Sequence, residues 1–138
     1  MSSRDTVQPA APTRSRAETL LVQYVYFLSV VMLLFGLRQW AVILGVLSSP
    51  GGPFENMTAV WGAATMHIAV VDPVAAVGLW NQTAWGKVVW VYAALFEVAL
   101  HTVFIGTFGG DLPVVGFHLF TVAVFILLTI MARRSAPA

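Results

Sequence analysis

Six ionisable side chains lie inside otherwise apolar stretches of this 138-residue sequence: Arg38, His67, Asp72, Glu97, His101 and His118. Carboxylates and imidazoles relay protons or hold a cation, and imidazoles also ligate metals and haem iron. Glu97 and His101 are four residues apart, so on a helix they share a face. That spacing differs from the Glu-x-x-His of di-iron carboxylate bundles, and no cysteine is present to add a thiolate. No nucleophile stands beside a base, and Gly51-Gly52 and Gly109-Gly110 lack the lysine and spacing of a phosphate loop. The pattern assigns no metal, no cofactor and no catalytic residue.

The surroundings of these side chains decide what they can do. Hydrophobic residues make up 59% of the chain and charged residues 9%, too few charges to coat a soluble surface, where about a quarter is usual. A net charge of +1 offers no basic face for nucleic acid. Four apolar runs, at about 20–47, 57–80, 85–108 and 112–131, are each long enough to cross a bilayer. The breaks between them are Ser48 to Pro53, Asn81-Gln82-Thr83, and Gly109-Gly110-Asp111, all poor helix formers. The expected fold is an all-α membrane protein, a four-helix transmembrane bundle over residues 18–134. A disordered tail precedes it at 1–17, and a short tail follows at 135–138. Short links give an up-down-up-down path. Six of the seven basic residues (Arg4, Arg14, Arg16, Lys87, Arg133 and Arg134) fall on one side of that path. Both termini are therefore expected in the cytoplasm, with the bacterial inner membrane as the location.

Inside hydrocarbon each ionisable group costs up to about 2.5–3.5 kcal/mol, so each is expected to face the bundle interior. Counted along the runs, Arg38 and Glu97 fall near one depth, which predicts an Arg38–Glu97 ion pair. Arg38, His67, Glu97, His101 and His118 are expected to form one intramembrane polar layer. Such a layer serves as interhelical hydrogen bonding, as a proton or ion pathway, or as a haem or metal site. Asp72-Pro73 is a separate feature. The proline removes a backbone donor and frees the carbonyl of Ala69, which predicts a kink. Lys87, beyond the short link, is expected either to pair with Asp72 or to leave it as part of a substrate or ion site at a broken helix.

Three segments carry a resemblance: Asp72-Pro73-Val74-Ala75-Ala76-Val77-Gly78-Leu79-Trp80, then Trp85-Gly86, then Glu97 with His101. With Gly36-Leu37-Arg38 and Trp40, they resemble a family of small four-span inner-membrane proteins of alphaproteobacteria that has no assigned function. In size, span number and an arginine in the first helix, the chain is also similar to DoxX-type membrane proteins, some of them linked to quinone or thiosulfate oxidation.

The expected role is a non-enzymatic accessory or scaffold subunit. It would pack against other membrane helices, with the lipid bilayer and a larger membrane complex as partners and self-association left open. Two alternatives remain. A small proton- or ion-coupled transporter using Asp72 and Glu97 calls for a cavity that joins them. A haem- or quinone-binding redox subunit calls for a pocket beside His101 and His118.

Overall fold

A computed structural model describes residues 14–135; the first 13 residues of the expected tail and residues 136–138 lie outside it. The described residues form five α-helices and a 3-10 turn, with no strand among them. Helix α1 is Arg16–Ile43, α2 Ala59–Trp80, α3 Ala84–Thr102, α4 Ile105–Phe108 and α5 Leu112–Ser135. The 3-10 turn, Phe54–Asn56, sits in the link before α2.

The helix ends follow from local chemistry. Ser15 accepts the Glu18 N–H while Glu18 accepts the Ser15 N–H, a reciprocal capping box. It starts α1 inside the segment expected to be tail. The far end of α1 stops at Ile43, four residues short of the apolar run. There Gly45 takes a left-handed φ of 73°, and the N–H groups of Gly45 and Val46 return to the carbonyls of Val42 and Ala41. That is a Schellman stop, which favours glycine at this position. Thr58 and Thr83 cap α2 and α3, and Asp111 accepts the Val114 N–H at the start of α5.

The third apolar run divides. Helix α3 ends at Thr102, and α4 resumes after Phe104, whose backbone leaves the helical region at φ −101°, ψ 29°. Of the long helices, α1, α2 and α5 are long and apolar enough to cross a membrane. Helix α3 is not among them, because Lys87, Glu97 and His101 lower its apolarity.

Helix α1 packs on α2 and α5, and α3 packs on the same two helices. The main core joins Val25, Leu28 and Met32 of α1 to Ala75, Ala76 and Leu79 of α2 and to Trp90 and Ala93 of α3. Phe125 of α5 closes it, edge-on to Trp90 at 5.3 Å. A smaller cluster of Ala64, Ile68 and Leu100 lies toward the other end, flanked by Phe96 and Phe108. Leu34, Leu37, Val70, Leu95 and Phe120 are exposed. That apolar exterior suits lipid.

Two glycine contacts let backbones meet. A Cβ added to Gly36 would sit 2.4 Å from Cδ of Pro73, and one added to Gly86 would sit 2.1 Å from the carbonyl carbon of Gly78. Around the second contact, both the N–H and the hydroxyl of Thr83 donate to the Gly78 carbonyl, which locks the Asn81-Gln82-Thr83 link.

Candidate functional site

Pro73 lies inside α2, which continues through it. Lacking an N–H, it cannot serve the carbonyl of Ala69, four residues earlier. The structure supplies a substitute from the preceding helix, α1: the Trp40 indole N–H donates to the Ala69 carbonyl at 2.9 Å. Two turns further along, the Ser29 hydroxyl donates to the Ala76 carbonyl at 2.8 Å. Between these two bonds Gly36 receives the proline ring. Helix α1 thus clasps the broken rung of α2, and this positions the residue beside the proline, Asp72.

Asp72 is 1% exposed, and neither of its carboxylate oxygens has a hydrogen-bond partner among the described residues. It lies at one end of a cavity of about 500 Å³. Trp61, Ala64, Thr65, Ile68 and Asp72 line one wall from α2. They recur every three or four residues, so they form a single helical face about 16 Å long. Phe35, Arg38 and Gln39 of α1 and Glu97, Leu100 and His101 of α3 supply the other walls. The opposite end is ringed by Ser49 and Pro50 of the first link and by Gly110 and Asp111 before α5. The cavity thus runs from those loops inward to Asp72. Beyond Asp72 on α2 come Ala75, Ala76 and Leu79 of the packed core.

The expected Arg38–Glu97 ion pair does not form. Glu97 is buried, and its Oε2 faces His118, whose Nε2 lies 3.5 Å away. Glu97 Oε1 has no hydrogen-bond partner among the described residues. Arg38 is exposed. Because α1 stops at Ile43 and not Leu47, Arg38 is only five residues, about 8 Å, from the helix end, and its long side chain can extend to a polar surface.

The five residues expected in one polar layer therefore divide. Arg38, Glu97 and His101 line the cavity, and His118 backs Glu97. His67 instead borders an apolar groove between α2 and α3, where its Nε2 meets the Tyr92 hydroxyl at 2.9 Å and its ring lies on Phe96. His101 Nδ1 lies 3.1 Å from the Gly109 carbonyl. Among the described residues no three His, Asp or Glu side chains converge as a metal site.

Lys87 forms no ion pair with Asp72 among the described residues. It stands in the first turn of α3, and on α2 the packed residues Ala76 and Leu79 lie between Asp72 and that end.

Sequence reasoning missed Trp40, Ser29 and Thr65 as parts of this region. The need for a donor at Ala69 was visible from Pro73, but the identity of the donor depends on which face of α1 meets α2. The Tyr24 hydroxyl, which donates to the Thr121 carbonyl at 2.7 Å and ties α1 to α5, carried no signal at all.

No curated protein and no solved structure matches the chain. One family model does, across residues 19–136, which takes in all five helices except their outermost residues at the N-terminal end. The matched region holds Asp72, Glu97 and every other residue of the cavity, and the chain belongs to DUF6163, a family of unknown function.

Proposed function

We propose that this chain is a four-span protein of the bacterial inner membrane, with both termini cytoplasmic, that admits a cation or proton from the non-cytoplasmic side to Asp72 and Glu97. One observation carries the reading: a single cavity connects these two buried carboxylates, and Asp72 within it has no partner for either oxygen. Leaving a carboxylate buried and unpartnered is costly unless something charged arrives to meet it. A structural role for Asp72 would call for a partner already in place.

The fourth span is α3, whose 19 residues reach about 28 Å, close to the hydrocarbon thickness of about 30 Å. Its one carboxylate faces its neighbours: Glu97 is buried, and α3 packs on both α2 and α5. The basic residues of the tail, of the α2–α3 link and of the C-terminus support the orientation. In that orientation the cavity mouth, at Ser49 and Asp111, opens on the opposite side.

An accessory or scaffold role would draw on the apolar exterior, but lipid covers that surface equally well, whereas the cavity calls for an occupant. The decisive experiment is a rapid jump in cation concentration or pH on proteoliposomes, with the charge displaced on binding read electrically. The wild-type chain gives a transient that Asp72→Asn abolishes. A wild-type chain with no transient for any cation or for protons defeats the proposal.

A further inference from the structure

The chemistry of the cavity narrows the occupant. Three acceptor oxygens along it are buried and unpartnered: Oδ1 and Oδ2 of Asp72 and Oε1 of Glu97. A primary ammonium brings three N–H donors and no acceptor, the complement of such a set. The charges agree, since three carboxylates line the space (Asp72, Glu97 and Asp111) against one guanidinium, Arg38, and one imidazole, His101.

The remaining wall favours an organic body. Phe35, Ile68, Leu100 and Val114 present apolar surface between the mouth and Asp72. A bare inorganic cation would fill its six or more oxygen positions partly with retained waters and would gain nothing from this apolar stretch of wall, whereas an organic body does. The convergent donors that would hold a metal are absent among the described residues. A proton alone needs no room, yet about 500 Å³ is present, within the range of about 300–1,000 Å³ typical of sites for small organic ligands.

We infer that the cavity binds a small organic ammonium ion, its charged head between Asp72 and Glu97 and its hydrocarbon body along Phe35, Ile68 and Leu100. This rests on the cation reading above and names its substrate class. The head is held by charge-assisted hydrogen bonds. The body gains from leaving water for an apolar wall. A neutral molecule of the same shape keeps only the second contribution.

The test uses the absence of cysteine from the native chain. Thr65 lines the cavity, so Thr65→Cys in the full chain, reconstituted in lipid, places a single thiol there. Its modification by an uncharged, membrane-impermeant thiol reagent is timed with hexylammonium chloride, 1-hexanol, sodium chloride or potassium chloride present. Hexylammonium should slow labelling on the order of tenfold at ten times its dissociation constant. Hexanol keeps only the apolar contribution and should slow labelling far less at the same concentration, and the two salts should leave the rate unchanged. Protection should vanish in Thr65→Cys/Asp72→Asn and weaken in Thr65→Cys/Glu97→Gln. The comparison of amine with alcohol needs neither carboxylate variant, so it stands even if one of them fails to fold. Equal protection by hexanol overturns the inference. Protection by sodium or potassium without protection by the amine overturns it too, but leaves the cation reading standing. A thiol that reacts without protection by any of these cations overturns the inference and leaves protons alone for the electrical measurement to decide, and a thiol that never reacts overturns both.

Discussion

The two ends of this molecule are built on opposite principles. At the end bearing the α2–α3 link, backbones touch: Gly78 meets Gly86, and Leu28, Leu79 and Trp90 fill the space between helices. At the end bearing Ser49 and Asp111, the same helices part around a cavity, and the buried apolar cluster there is small. The boundary is the Pro73 rung, where Trp40, Gly36 and Ser29 hold α1 against α2. Close packing on one side of that rung lets the other side stay hollow. In a bilayer, helix association comes from van der Waals contact and not from exclusion of water, so a bundle with a cavity must concentrate its close contacts elsewhere.

That contrast can be broken most sharply by labelling. Val25 and Thr65 are both buried, at 0% and 6% exposed, but only Thr65 faces the cavity. An impermeant thiol reagent added on the side of Ser49 and Asp111 should modify Thr65→Cys and leave Val25→Cys unmodified. Equal reactivity would show that the two ends do not differ in access to water.

Glycine replacements come next in size. Gly86→Ala drives a methyl group into the Gly78 backbone, and overpacking of this kind costs about 1–3 kcal/mol or more. Gly116 has nothing within 4 Å of an added Cβ, so Gly116→Ala should be neutral or gain up to about 1 kcal/mol of helix propensity. Thermal unfolding of the two variants in detergent measures both. A Gly86→Ala variant as stable as the wild type would contradict the tight contact.

The smallest effects separate the bonds around the rung. The Ala76 carbonyl can still accept from its own helix, so Ser29→Ala should cost only about 0.6 kcal/mol, the average for interhelical bonds in membranes. The Ala69 carbonyl has no such second donor, so Trp40→Phe should cost more, about 1–3 kcal/mol. Adding Pro73→Ala returns a backbone N–H to Ala69 and should shrink the cost of Trp40→Phe. Additive effects in that double-mutant cycle would mean that the indole does not substitute for the missing donor.

Much of the architecture was legible because it depends on neighbours in sequence. The links at Asn81-Gln82-Thr83 and Gly109-Gly110-Asp111 stand where turn-forming residues interrupt apolar runs. The stop after Ile43 was encoded in Gly45 but was masked by the apolar Leu44, Val46 and Leu47 around it. The division of α3 from α4 near Val103 had no marker, since no proline or glycine stands at the break and hydrophobicity continues across it. Pairings between helices were the least legible. Depth counted along the runs brought Arg38, Glu97 and His101 to one level, and all three line the cavity. It could not tell that Arg38 is exposed, that His67 borders a different groove, or that Glu97 meets His118. Rotation about the helix axis decides those outcomes, and the weak amphipathicity of these segments leaves rotation to packing.

The indole bond to Ala69 also bears on assembly. In the four-span reading, α2 alone in lipid would carry an acceptor with nothing to satisfy it. Helices delivered to the bilayer in the order of synthesis bring Trp40 in ahead of Ala69, so the remedy is in place before the defect arrives. A circularly permuted chain that made α2 first and α1 last would reverse that order, leaving the newborn segment to wait for its donor with a bare carbonyl turned toward oil.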